Sequence, residues 1–197
     1  MSSADGRLVG TVVRLQVQRS RLKPGPATTR AYDPAPLLEV EALEVGPRGV
    51  VGQTADGPVL DVHHADHPDS RNRRLANGLS LLPRAHYAGL RQRYGPHLVD
   101  GVAGESLLLD TAGPWTGADV AGGLWLETVE GELLELTGTE PAPPCVEFSR
   151  FCLRVPVGPV GPEVRQALVD LDGGARGFCA PVRGTGRVEC GARLLRA

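Results

Sequence analysis

A mainly β fold with a few helices, built as a closed or nearly closed barrel of mixed strands with helical insertions, is predicted from three observations. Short apolar runs recur along the chain between turn residues. Glycine and proline supply 26 and 17 of the 197 residues, dispersed between those runs rather than gathered in one tract. That spread favours many turns over a disordered tail. Helical periodicity is confined to residues 80–94 and 162–171.

Taken in order, residues 9–17 alternate as a half-buried strand, with Val9, Thr11, Val13, Leu15 and Val17 on one face and Arg14, Gln16 and Gln18 on the other. Residues 19–36 follow as a loop punctuated by Pro24-Gly25-Pro26 and Pro34-Ala35-Pro36. Residues 37–45 change the phase of their alternation partway, as a strand with a bulge would. A polar, glycine-rich stretch at 46–79 has a short apolar interruption at 59–62. The spacing then predicts a helix over 80–94, with Ser80 as N-cap, Pro83 in the first turn and Gly95 as an αL cap. Strands are expected at 106–109, 123–129 and 132–137, the last two forming a hairpin around Glu130-Gly131. Further strands are expected at 151–157 and 178–183, and 187–195 closes the sheet. Between them Val164, Ala167, Leu168 and Leu171 mark a short amphipathic helix with Gly173 past its end. One domain is expected across 1–197, with 1–7 flexible, 19–36 a loop and 80–94 a helical insertion.

Composition removes several classes of function. A formal charge of −2 offers no global attraction to nucleic acid or to an anionic membrane. Lys23 is the only lysine, and it sits in a Pro/Gly-flanked stretch, so a pyridoxal-phosphate Schiff base is not expected on this chain. The first residues show no basic or apolar leader, and no apolar run approaches the ~18 residues that span a bilayer. Cys145, Cys152, Cys179 and Cys190 form no C-x-x-C pair and read as reduced thiols of a cytoplasmic protein. Cys152, Cys179 and Cys190 fall in strand-like runs and are expected in the core, with Cys152 as a resolving thiol only if the loop folds back.

Three stretches carry a family resemblance. Gly101-Val102-Ala103-Gly104-Glu105-Ser106-Leu107 resembles a Gly-Glu-Asn-Leu segment. Ala142-Pro143-Pro144-Cys145 with downstream Arg150 resembles a Pro-Cys motif. The run from Gly174 and Gly177 through Val182, Gly186, Val188 and Gly191 resembles a closing β-hairpin. In this order they resemble the MOSC family, named for the C-terminal domain of molybdenum-cofactor sulfurases. Gly10-Thr11-Val12-Val13 and Asp61-Val62-His63-His64 add softer likeness, so the resemblance covers nearly the whole chain. Ser106 stands where the family has Asn, Ala192 where it has Asp, and the arginine often found before Pro-Cys is absent.

The resemblance implies a MOSC-type barrel that binds molybdenum cofactor or relays sulfur as a persulfide through Cys145. The same thiolate would be the molybdenum ligand if the cofactor binds. It also implies that Asp61, His63, His64, Arg71, Gly104, Glu105, Ser106 and Arg150 approach the pterin or its phosphate. Reduction of N-hydroxylated compounds would then need a separate electron donor, and sulfur relay a cysteine desulfurase. Without the resemblance, Cys145 reads first as an inert buried cysteine, residues 101–106 as a glycine turn and residues 61–69 as a solvated loop. Two other readings stand beside it. One is a non-catalytic binding module on a degenerate barrel, which the departures from the motifs favour. The other is a zinc hydrolase on His63, His64 and His67, although no H-E-x-x-H pattern supports it.

Overall fold

The computed structural model of the protein describes residues 6–70, 72 and 78–196. Strand β1 (Arg7–Gln18) is followed by β2 (Leu37–Glu39), β3 (Ala42–Gly46), β4 (Gly49–Thr54), β5 (Gly57–Leu60) and β6 (Leu79–Pro83). Helix α1 (Ala85–Tyr94) leads through β7 (Leu107–Asp110), α2 (Gly117–Val120), β8 (Leu124–Glu127) and β9 (Leu133–Leu136) to β10 (Glu140–Pro141). Then come α3 (Val146–Leu153), α4 (Pro162–Asp170), β11 (Phe178–Ala180), β12 (Val182–Arg183), β13 (Gly186–Glu189) and β14 (Arg193–Arg196).

Strands run in the order β10-β11-β6-β7-β1-β14-β8-β9-β12, with β2 added on the end of β1. Among the described strands only β6 and β7 pair in parallel, so the sheet is mixed, and it curls into the near-barrel that the sequence predicts. A second sheet, β13-β3-β4-β5, is antiparallel throughout. Leu15, Leu43, Leu79, Leu107, Leu124 and Leu194 fill the space between the strands. A second cluster, with Tyr87, Leu98, Phe148 and Leu171, packs the helices onto the outer face of β6 and β7.

The regular alternation expected along β1 is broken. Register slips between Leu8 and Gly10 and again between Val12 and Arg14. Each extra residue inverts the faces, so Val12 and Leu15 are buried while Val13 lies outside. Residues 37–45 are two strands joined at Val40-Glu41 rather than one bulged strand.

Two helical boundaries differ from expectation. Leu79–Pro83 is strand β6, and the helix starts only at Ala85, so Ser80 is no N-cap. Leu79 and Leu81 enter the inter-strand core while Leu82 enters the helical cluster. A strand buried on both faces reads as one apolar run, which periodicity alone does not separate from a helix. Gly95 ends α1 with φ 118° and ψ 170°, a positive φ outside the αL region. Residues 146–153 are helix α3 where a strand was expected at 151–157, because Phe148 and Cys152, four apart, both reach the helical cluster. Cys152 is fully buried as expected, Cys179 is only half-buried and Cys190 is exposed in the turn before β14.

Gly49 and Gly57 both hold φ near +115°. A Cβ on Gly49 would lie 2.8 Å from the Cα of His64, whereas one on Gly57 would meet nothing within 4 Å. Gly57→Ala should therefore cost about 1–2 kcal/mol of backbone strain. Gly49→Ala should cost at least about 1 kcal/mol more, because it also displaces the turn that carries His63 and His64. Urea unfolding of both variants checks this, and equal losses would show that the turn yields freely.

Candidate functional site

Cys145 ends the rigid Pro143-Pro144 segment and takes the N-cap position of α3 in extended conformation. Its carbonyl accepts hydrogen bonds from the backbone N–H and the hydroxyl of Ser149, each at 3.0 Å, which locks the first turn. Upstream, Ala142 N–H donates to Gly177 O at 2.8 Å, continuing the β10–β11 ladder. Arg176 Nη1 donates to Pro143 O at 3.3 Å, and the guanidinium lies 5.1 Å over the Phe148 ring. The loop before α3 and the turn before β11 thus hold the thiol and Arg176 side by side.

The other contributors come from the exit of β1 and the turn after β5. Val62 N–H donates to Gln18 O at 2.8 Å, Gln18 N–H to Asp61 Oδ2 at 2.7 Å, and Arg21 Nη2 to Asp69 O at 3.1 Å. These bonds zip residues 18–21 to residues 61–69. Together the segments enclose a pocket of about 370 Å³, a size suited to a small-molecule ligand. Cys145 and Arg176 line it with Arg21, Lys23, Arg30 and His63, over a surface that includes Leu22, Tyr32 and Ser80. Among the described lining residues Asp69 is the one carboxylate, and it is paired with Arg21. The Nε of Arg176 is buried without a hydrogen-bond partner among the described residues. The pocket is therefore cationic, with one donor uncommitted.

Not all expected residues meet there. His63 lines the pocket, and Asp61 stands directly behind it, buried, with Oδ1 2.9 Å from His63 Nδ1. Gly104 has φ 88°, and a Cβ there would lie 2.7 Å from Leu22 Cδ1, so its bare backbone backs the pocket wall. Ser106 is one step removed, its hydroxyl 3.2 Å from that of Ser80. The N–H groups of Ala103, Gly104 and Ser106 bond to Tyr87 Oη, Gly101 O and Ser80 O, so this turn does not offer them to an anion. Arg150 corrects a second expectation. It lies five residues past Cys145 on α3, a rotation of about 140° that carries it to another face. There it donates to Gly158 O and lines a separate cavity with Phe151 and Arg154. Arg176 occupies the place beside Cys145 that Arg150 was expected to take. His64 faces its own turn, its Nδ1 accepting from Asp66 N–H at 3.2 Å. His67 is committed similarly, to Asp69 N–H and Arg19 O. Among the described residues no group of three His, Cys, Asp or Glu side chains is placed to hold a metal, which removes the support for a zinc site. Arg71 lies outside the described residues.

Sequence reasoning left Arg21, Lys23, Arg30 and Arg176 unassigned. A signal was present in the alternate cations Arg19, Arg21 and Lys23, which a loop closing over an anion would present.

No protein-family model matches the chain, and no curated protein matches it in sequence. Its fold is similar to that of the YUAD protein from Bacillus subtilis, at 13% identity and TM-score 0.57, covering 95% of each chain. YiiM from Geobacillus stearothermophilus is similar at 19% identity and TM-score 0.52, over 95% of this chain and 75% of that one. YiiM from Escherichia coli is similar at 18% identity and TM-score 0.51, over 81% and 64% respectively. At these identities the likeness is one of fold, and the fold is MOSC-like. No helix among the described residues is long and apolar enough to cross a membrane.

Behind the pocket, the Glu105 carboxylate is buried and receives the Tyr87 hydroxyl, with both of its oxygens within 3.0 Å. Burial pushes its pKa up to about 7, against the opposing pull of its hydrogen bonds. The native state then holds a proton on Glu105 that the unfolded chain has lost between about pH 4.5 and 7. Stability from this group therefore falls as pH rises through that window and levels off above it. Glu105→Gln keeps an acceptor for Tyr87 and removes the ionisation. The variant should lose less stability than the wild type on going from about pH 5 to about pH 8, by roughly 2–3 kcal/mol. Parallel urea titrations at the two pH values check this, and identical pH slopes would contradict it.

Proposed function

We propose that the pocket binds the molybdenum cofactor, a phosphate-bearing pterin, with Cys145 as the sulfur ligand of its metal. The observation that carries this reading is a free thiol at the head of α3 beside four cationic side chains and a single, already paired carboxylate. A thiolate suits a soft or high-valent metal centre, and guanidinium groups suit phosphate. The buried Nε of Arg176, without a partner among the described residues, fits the requirement for an anionic ligand acceptor. The MOSC-like fold and the motif order in the sequence support the same assignment.

In this reading Arg21, Lys23 and Arg30 hold the phosphate end, and Leu22 and Tyr32 supply apolar surface for the ring system. When bound, the cofactor supplies two-electron redox chemistry, with electrons from a separate donor and N-hydroxylated compounds as the substrate class suggested by the family resemblance. The protein contributes the ligand thiol, the fixed cations and exclusion of water from one side.

A second reading, sulfur relay, draws on the partial exposure of Cys145, which leaves the thiol open to a cysteine desulfurase. Elemental mass spectrometry of protein purified from a host that makes the cofactor separates the two. Near-stoichiometric molybdenum in the wild type, lost in Cys145→Ser and reduced in Arg176→Gln, is the expected result. No molybdenum in the wild type would overturn the cofactor assignment. One added sulfur atom on Cys145 in intact-mass spectra would then favour relay.

A further inference from the structure

The Asp61–His63 pair does more than line the wall. Asp61 is 2% exposed, and its carboxylate accepts three N–H groups. Oδ2 accepts from Gln18 N–H at 2.7 Å, and Oδ1 lies 2.8 Å from His63 N and 2.9 Å from His63 Nδ1. A carboxylate can only accept, so the Nδ1 of His63 carries a proton. The backbone of the same residue is fixed from the other side, where Asn72 Nδ2 donates to His63 O at 3.0 Å. Nε2 makes no hydrogen bond within the described residues, and His63 lines the pocket with its side chain 38% exposed. Which nitrogen of an imidazole is protonated is set by the bond the other makes, and here the buried carboxylate makes that choice.

The other described lining residues offer no comparable group. Arg21, Arg30 and Arg176 stay charged, and Lys23 adds a further cation. Burial holds the Tyr32 hydroxyl well above its ordinary value while it donates to Val102 O at 2.7 Å. Burial likewise raises the Cys179 thiol. Asp69 is half exposed and paired with Arg21, and Cys145 is assigned above to ligand binding.

We propose that His63 is the proton-exchanging residue of this pocket: Asp61 fixes the ring with Nδ1 protonated, and Nε2 gives a proton to, or takes one from, the anionic ligand bound among the cations. With a fully ionised dianion in place the imidazolium form is favoured, so binding takes up one proton onto Nε2 from solvent. With a ligand that carries its own acidic proton, Nε2 accepts it as a hydrogen bond. Asp61 is a positioning residue, acting only through the ring. This inference needs an anionic ligand in the pocket but no molybdenum, so it stands or falls separately from the cofactor assignment.

Sulfate is the suitable probe, because it has no proton to exchange near neutral pH. Nitrogen-15 NMR of the ligand-free wild type should show His63 as the Nδ1–H tautomer when neutral, and Asp61→Asn should lose that preference while remaining folded. Sulfate should bind the wild type about tenfold more tightly than His63→Gln, since the variant lacks the charged hydrogen bond from Nε2. Binding to the wild type should take up a proton, read from the buffer dependence of the binding heat, and binding to His63→Gln should not. The Nε2–H tautomer in the wild type, the absence of any sulfate-dependent change at His63, or equal affinity and proton uptake in His63→Gln would each overturn the proposal. A positive result from protein that holds no molybdenum would keep proton exchange and remove only the cofactor assignment.

Discussion

The site depends on how the end of β1 is tied to two distant turns. Gln16 Nε2 donates to the carbonyls of Gly101 and Glu105, each at 2.7 Å, and Gln18 Nε2 donates to Gly104 O at 2.6 Å. The backbone of Gln18 adds its bonds to Asp61 and Val62 on the other side. Residues 85 or more positions apart are thus held by two adjacent side chains on one strand. Each such bond contributes only about 1 kcal/mol net, but a buried group left without its partner costs about 1–3 kcal/mol. The network is accordingly cooperative in character: loosening one member exposes the others to that cost. Both the 101–106 turn and the 61–69 turn inherit their positions from it, and with them one wall of the pocket.

Electrostatics within this frame runs against the whole-molecule balance. The chain is slightly acidic overall, with a formal charge of −2. Yet among the described residues the pocket gathers Arg21, Lys23, Arg30 and Arg176 against one carboxylate, and that carboxylate is paired with Arg21. Arg30 is steadied from outside the pocket by Glu147, 3.9 Å away on α3, and Arg176 by the face of Phe148. Concave walls of low dielectric concentrate the field of such groups, so a small anion meets a local potential that the net charge does not reveal. The fold supplies this concavity but does not dictate what fills it. A MOSC-like near-barrel is an arrangement of strands, while any chemistry resides in Cys145, the cations around it and the Asp61–His63 pair.

Two buried carboxylates behind the pocket wall, Asp61 and Glu105, illustrate how environment divides like groups. Asp61 accepts three N–H donors and so serves as a fixed negative anchor for an imidazole. Glu105 is buried against Tyr87, where desolvation outweighs its hydrogen bonds and keeps a proton on it up to near neutral pH. The first orients a group that faces the ligand. The second stiffens the turn behind the wall.

Local pattern alone determined the β-rich class, the β8–β9 hairpin and helix α4, because strand alternation and turn residues are written in neighbouring positions, while the weight placed on Cys145 and on the Asp61–His63 segment came from the family resemblance. It failed at Leu79–Pro83, where a strand covered on both faces loses its alternation, and along β1, where two bulges reset it. The placing of Arg176 rather than Arg150 in the pocket of Cys145 belonged to the tertiary structure, as did the recruitment of Arg21, Lys23 and Arg30 into it. Arg150 is near Cys145 in sequence but is turned away by the helical rotation of α3. Arg176 is 31 positions distant but is returned by the pairing of β10 with β11. Sequence proximity constrains only what lies within a turn or a strand. Convergence of charges from separate loops is decided by which strands pair, and that follows from burying the whole core at once.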